Sequence, residues 1–256
     1  MVQPDLAWED KAANLEMMER MITPLSTQTD IVILPEMFST GFSMNPRQLA
    51  ENMQGDVVQW MKVMAAKLRL ILTGSIIIEE EGKYFNRLIW MQPDGNFGYY
   101  DKRHLFGFAG EDKEYSAGNK RLITSAKGWK FNLQVCYDLR FPVWARQGGN
   151  SGEPEYDVLV YVANWPERRN HAWKTLLQAR AIENQCYSIG VNRVGEDGNG
   201  IYHSGDSMVV DAMGEVLYTK KDVEDVFTIT LEKEALESVR SKLPFLKDRD
   251  GFFISR

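Results

Sequence analysis

Val135-Cys136-Tyr137-Asp138-Leu139-Arg140-Phe141-Pro142 is the stretch from which this 256-residue chain is best read. The apolar run 131–135 predicts a strand, and the residues after it predict a polar turn. A cysteine at such a junction can face a pocket rather than the core. The backbone N–H groups that follow can point at a developing oxyanion. One cysteine alone is weak evidence, because a free cysteine is more often a small buried hydrophobe. Two other strand ends offer the groups such a thiol needs. Glu36 ends Ile31-Val32-Ile33-Leu34-Pro35, and Lys102 follows Phe97-Gly98-Tyr99-Tyr100-Asp101. A carboxylate can take the thiol proton and later pass it to a leaving nitrogen. An ammonium can stabilise thiolate and oxyanion, and it lowers a thiol pKa by charge attraction. If the three strands lie side by side, the side chains converge at one rim of a sheet, where α/β sites tend to form.

Composition narrows the setting. The chain is long enough for a substantial core yet fits a single domain over residues 1–256. A net charge of −6 and a pI near 5.3 argue against a nucleic-acid partner or an anionic membrane surface. No apolar run is long enough to span a bilayer, and the N-terminus lacks the pattern of a signal peptide. The two cysteines, Cys136 and Cys186, make no disulfide framework, so a reducing cytoplasm is the expected location. His104, His171 and His203 show no metal-ligand spacing, and neither a metal nor another cofactor is expected.

Periodicity predicts helices over residues 8–22, 56–68, 171–184 and 233–242. Strands are expected over 31–34, 70–78, 85–91, 97–100, 131–135, 157–162, 186–194 and 226–231. A hairpin is expected around Ala212-Met213-Gly214-Glu215, and the stretch 147–155, with Gly148, Gly149 and Gly152, reads as a surface loop. Strands and helices in this mixture predict two sheets packed face to face with helices outside, a doubly wound single sheet being the competitor. Gly195-x-x-Gly198-x-Gly200 falls between strands and opens no helix, so it is read as a loop rather than a dinucleotide fingerprint.

Six ordered motifs give the chain a family resemblance. They are Ile33-Leu34-Pro35-Glu36-Met37-Phe38 with Thr40-Gly41-Phe42, Tyr100-Asp101-Lys102-Arg103-His104-Leu105-Phe106, and the cysteine stretch quoted above. Tyr161-Val162-Ala163-Asn164-Trp165-Pro166, Ala179-Arg180-Ala181-Ile182-Glu183-Asn184-Gln185 and Gly205-x-Ser207-Met208-Val209-Val210-Asp211 follow. With them the sequence resembles the nitrilase superfamily of carbon–nitrogen hydrolases, and most closely its omega-amidase branch. The resemblance implies a four-layer α-β-β-α sandwich, pairing into homodimers through outer helices, and a Glu36–Lys102–Cys136 triad. It implies a second glutamate between lysine and cysteine, for which Glu111 fits best by its spacing to Tyr115 and Gly118, with Glu114 the rival. It also implies hydrolysis of the terminal amide of 2-oxo acids such as 2-oxoglutaramate and 2-oxosuccinamate, with release of ammonia through a cysteine thioester. A nitrile, an N-carbamoyl amino acid or another small amide is the alternative substrate, and a non-catalytic binding protein of the same fold is a third reading. The family usually begins with a strand before the first helix; here Met1-Val2-Gln3-Pro4 leaves little room for one.

Further residues take expected places beside the triad. Tyr137 offers a backbone N–H to the oxyanion, and Trp165 and Phe42 are candidate pocket walls. A substrate with a carboxylate calls for another cation. Arg169 is the candidate, because a guanidinium can grip a carboxylate through two parallel hydrogen bonds. Asp138 and Arg140 read as ion partners that fix the turn. Cys186 reads as inert core, and the histidines as structural.

Overall fold

The computed structural model describes residues 1–148 and 153–254. The first half of the chain runs β1 (Val2–Gln3), α1 (Lys11–Ile22), β2 (Ile31–Ile33), α2 (Pro46–Leu49), α3 (Asp56–Leu68), β3 (Ile71–Glu80), β4 (Lys83–Met91), β5 (Phe97–Asp101) and α4 (Glu111–Glu114). There follow β6 (Leu122–Ala126), β7 (Trp129–Val135), α5 (Pro142–Ala145), β8 (Val158–Val162), α6 (Asn170–Asn184) and β9 (Tyr187–Val191). The remainder is β10 (Val194–Glu196), β11 (Tyr202–Val210), β12 (Val216–Lys221), β13 (Asp225–Val226) and α7 (Lys233–Lys242).

Two sheets face each other. One has the order β2-β3-β4-β5; the other runs β10-β11-β9-β8-β7-β6, with β12 paired to β11. Between them Ile33, Leu88, Trp90 and Tyr100 pack against Leu133, Val135, Val160 and Val191. The outer face of the first sheet is covered by α1 and α3. On α3, Val57, Val58, Met61, Met64, Ala65 and Leu68 recur at helical spacing and are buried, and Arg69 ends the helix in left-handed backbone (φ 56°). The outer face of the second sheet is covered by α6, whose Trp173, Leu177 and Ala181 meet Leu159, Tyr161 and Met208. Each fully buried large apolar side chain contributes about 1.5–3 kcal/mol. The result is the four-layer α-β-β-α sandwich.

In the second sheet β7, β8 and β9 are parallel, and Val135 is level with Val162 and Val162 with Val191. Residues just beyond them, Cys136, Asn164 and Asn192, therefore reach the same rim.

Several local expectations change. The first helix begins at Lys11, because the Asp10 side chain accepts a hydrogen bond from the Ala13 N–H and caps it; Trp8 and Glu9 stay outside. The strand expected over 186–194 is two strands, interrupted at Asn192 and Arg193. The one expected over 226–231 shrinks to β13, which pairs with the two-residue β1. Beyond Val226 the chain keeps a two-residue alternation: Phe227, Ile229 and Leu231 are half-buried while Thr228 and Thr230 are exposed. No strand pairs with it among the described residues. Sequence reading missed β6, which joins β7 through Lys127-Gly128 with both residues at positive φ. Of the loop expected over 147–155, residues 149–152 lie outside the described residues. Gln147 is buried and bonds to Tyr156 and Asn184.

Candidate active site

Glu36, Lys102 and Cys136 do meet, but not from neighbouring strands of one sheet. Glu36 lies in the turn after β2 and Lys102 directly after β5, at opposite edges of the first sheet; Cys136 follows β7 in the second. The site therefore sits where the two sheets open at one end. Cys136 starts a tight 3₁₀ turn, Cys136–Arg140, and holds a left-handed backbone (φ 43°). That conformation costs on the order of 1 kcal/mol or more for a residue with a side chain. Its surroundings sustain it. Asp138 is fully buried and accepts hydrogen bonds from the Val135 N–H (3.0 Å), the Tyr100 hydroxyl (2.7 Å) and the His104 N–H (3.0 Å). The same carboxylate also lies 2.7 Å from His104 Nδ1. Asp138 thus ties the cysteine turn to the lysine segment. Its partners are His104 and Tyr100, and not Arg140 as expected.

The lysine segment is fixed from the other side by Gly118, whose N–H donates to the Lys102 carbonyl at 2.9 Å. A Cβ at Gly118 would lie 2.1 Å from the Asp101 carbonyl oxygen, so only glycine allows this approach.

Lys102 and Glu36 are fully buried at the side chain and so is Glu111. The Lys102 ammonium donates to Glu36 Oε1 (2.9 Å) and to both oxygens of Glu111 (3.0 and 2.8 Å). Glu114 is exposed, so Glu111 is the carboxylate that stands beside the lysine. Two asparagines brace the carboxylates. Asn86 on β4 donates one amide group to both Glu36 Oε1 (2.8 Å) and Glu111 Oε1 (3.2 Å). The Asn164 N–H donates to Glu36 Oε2 at 2.9 Å, and its side-chain amide donates to the Glu36 carbonyl. Glu36 and Lys102 are the charged groups that act most strongly on the Cys136 thiol.

These contacts set the charges. Burial alone would drive Lys102 toward its neutral form, but Glu111 and Glu36 outweigh it and hold the ammonium above the usual lysine range. Burial pushes the Glu111 carboxyl up, with Lys102 opposing and Glu36 adding to the rise. Burial, followed by the Glu36 charge, pushes the Cys136 thiol well up against the pull of Lys102. The ammonium does pull the thiol down, as expected, but burial and the Glu36 charge outweigh it. One cation faces two carboxylates, so a third negative charge is disfavoured. Burial and the two carboxylates thus favour the thiol over the thiolate, and Glu36 is the carboxylate whose charge bears on it most.

Cys136 and Lys102 open into a cavity of about 560 Å³. The other expected residues, Phe42, Tyr137, Trp165 and Arg169, all line it. The Phe42 ring lies 5.0 Å from the Lys102 ammonium, and Tyr137 packs between Phe106 and Phe141. Trp165 is held by its N–H on Asn192 (2.8 Å) and by its indole N–H on the Arg169 carbonyl (2.9 Å). Sequence reading missed Asn86 and gave no role to Asn164, and it did not place Arg140 in the cavity. A polar residue inside the apolar run 85–91 was the available signal for Asn86. His104, His171 and His203 do not line the cavity. Among the described residues no group of three or more His, Cys, Asp or Glu side chains gathers as a metal site.

Comparison with known proteins agrees with this geometry. The sequence profile described as "Carbon-nitrogen hydrolase" matches residues 1–241. The chain is 42% identical over 254 residues to the omega-amidase YafV of Escherichia coli (strain K12), covering 98% of this chain and 96% of that protein. It is 30% identical to the 2-oxoglutaramate amidase of Bacillus subtilis (strain 168), covering 96% and 95% respectively. The crystal structure of XC1258 from Xanthomonas campestris, described as a CN-hydrolase superfamily protein with an arsenic adduct in the active site, superposes with a TM-score of 0.97. The two share 45% identity over 100% of this chain and 97% of that one. The chain belongs to the carbon–nitrogen hydrolase family, in the omega-amidase branch of the nitrilase superfamily.

Proposed function

We propose that the protein is an omega-amidase that cleaves the terminal amide of small 2-oxo acids of the 2-oxoglutaramate and 2-oxosuccinamate type, releasing ammonia. The observation that carries this reading is the buried Glu36–Lys102–Glu111 cluster, whose Lys102 shares a cavity with Cys136. The activities named for the E. coli and B. subtilis relatives support the substrate class.

In this mechanism Glu36 takes the thiol proton as Sγ attacks the amide carbon, and the carbonyl electron pair moves onto oxygen. Three contacts of the Lys102 ammonium already go to carboxylate oxygens. It therefore acts on the oxyanion chiefly as a charge, while the Tyr137 backbone N–H supplies a hydrogen bond. Glu36 returns the proton to nitrogen, the carbon–nitrogen bond breaks, and ammonia leaves a thioester on Cys136. Glu36 then removes a proton from water, with Glu111 holding the lysine and orienting that water. Hydroxide adds to the thioester, the acid departs, and the thiol regains its proton. Phe42 and Trp165 wall the substrate, and Arg169 receives its carboxylate.

We also read residues 1–256 as one catalytic domain working as a cytoplasmic homodimer. No helix among the described residues is long and apolar enough to cross a membrane. Val143 on α5 and Ile182 on α6 are 53% and 51% exposed, which favours a partner against the outer helices. Ammonia release across a panel tests the substrate reading. 2-Oxoglutaramate should exceed simple aliphatic amides, nitriles and N-carbamoyl amino acids in kcat/KM. A nitrile or carbamoyl compound preferred over every 2-oxo acid amide would overturn it.

A further inference from the structure

Arg140, Arg168 and Arg169 all line the cavity that holds Cys136. None of the three forms an ion pair with a carboxylate among the described residues. The two acidic residues that line the cavity are engaged elsewhere. Glu9 accepts the Ser43 hydroxyl, and Asp197 accepts the N–H groups of Asn199 and Ile201 at 2.8 and 3.0 Å. Guanidinium groups gathered without a counter-ion repel one another. Burial and the charges of Arg168 and Arg140 hold Arg169 below the usual arginine range. Such an arrangement is stabilised by an anion that enters between the cations.

Two of the three are also pre-oriented. The Arg140 guanidinium lies 4.9 Å from the centre of the Trp165 ring, and that of Arg169 lies 5.1 Å from the centre of the Phe106 ring. An aromatic face fixes the plane of a guanidinium and leaves its N–H edge free for a planar acceptor. Trp165 links the pair, because its indole N–H also donates to the Arg169 carbonyl. Arg140 stands only four residues after the nucleophile position, so the turn that sets the thiol also sets this cation.

We propose that Arg140 and Arg169 form a paired-guanidinium clamp, backed by Trp165 and Phe106, which grips the 2-oxo carboxylate and fixes how far the amide reaches toward Cys136. The proposal rests on the omega-amidase reading and adds Arg140 as a specificity-determining residue. Arg168, which is exposed, adds charge at the mouth and draws the anion in.

The test compares 2-oxoglutaramate with levulinamide, the same chain carrying a methyl group in place of the carboxylate. Arg140→Met and Arg169→Met should each lower kcat/KM for 2-oxoglutaramate by roughly 10- to 100-fold, mostly through KM, as expected for loss of a hydrogen bond to a charged group. Levulinamide should suffer far less, so the preference for the charged substrate collapses. The double variant should lose less than the product of the single losses, because both arginines hold one carboxylate. Equal losses on both substrates would reduce Arg140 to a scaffold residue and overturn the clamp. If Arg140→Met fails to fold, Arg140→Lys replaces it. A larger loss for the acid amide than for levulinamide supports the clamp, and equal losses overturn it. If the wild-type protein cleaves some other amide and not 2-oxoglutaramate, the substrate reading fails separately. Competition by 2-oxoglutarate against that amide then decides the clamp: inhibition weakened by Arg140→Met keeps it, and inhibition unaffected removes it.

Discussion

Cys136 and Cys186 are the same residue in the same chain, and burial raises the pKa of both thiols. Their surroundings separate them. Cys186 is fully buried just after α6, packed with Tyr156, Leu159 and Ala181, and its Sγ lies 3.9 Å from the Arg180 carbonyl. Cys136 stands on left-handed backbone at the rim of a cavity, under the charges of Glu36 and Lys102, which are themselves hydrogen-bonded to each other. The difference teaches that a low resting pKa is not what sets a reactive cysteine apart here. What matters is a proton acceptor nearby and a cation held charged beside it.

The largest effect should break the comparison outright. Cys136→Ala should lose at least about 10⁴-fold in kcat, the scale seen when a nucleophile is removed, while Cys186→Ala stays active. Ammonia release by the two variants is the measurement, and comparable rates would dissolve the distinction. Lys102→Met comes next. It leaves Glu36 and Glu111 buried without their cation, so activity should vanish and unfolding stability should fall by about 3–5 kcal/mol. Chemical denaturation reads this, and adding Glu111→Gln should restore part of the stability. Asn86→Leu removes one amide shared by two buried carboxylates, so kcat should drop roughly 10- to 100-fold and the melting temperature should fall, by less than in Lys102→Met. A variant with wild-type kcat would show that Glu36 needs no such brace.

pH sharpens the same lesson. Lys102 is buried yet charged because carboxylates surround it. His203 is buried with the Arg193 charge nearby, and burial first, then that charge, holds its imidazole down at about 4 from an ordinary 6.5. An unfolded chain takes up a proton there below about pH 6.5, whereas the folded one resists until about 4. The stabilisation is therefore complete above that upper value and is lost as pH falls through the interval, by up to about 3 kcal/mol. Denaturation of His203→Asn at several pH values should show a shallower loss than wild type between those limits. The smallest effect belongs to Cys186→Ala, which trades one buried sulfur for a small void and should cost about 1 kcal/mol in stability.

The triad was legible because each of its members follows an apolar run. Glu36, Lys102 and Cys136 lie just past strand ends, where side chains leave the core. The helix over 56–68 was equally clear, since its buried positions keep one face over three turns. Other features were hidden for physical reasons. β6 alternates between half-buried and exposed residues and carries no strong apolar run. Residues 227–231 alternate like a strand but find no ladder partner, and alternation alone cannot tell the two apart. Asn86 looked like a blemish in an apolar strand, because its purpose depends on two carboxylates that are remote in sequence. The Arg140 side chain was assigned to Asp138 by nearness in the chain, whereas folding gives Asp138 to His104 and Tyr100 and turns Arg140 onto Trp165.

The central claim is that an amide carbon becomes bonded to the sulfur of Cys136 while Glu36 carries the proton. Peptide-mapped mass spectrometry of protein quenched with acid during turnover of 2-oxoglutaramate tests it most directly. The account predicts an adduct on the peptide containing Cys136 with the mass of the substrate less ammonia, absent from Cys136→Ala. Ammonia released at the wild-type rate by Cys136→Ala, or the adduct on another residue, would contradict it.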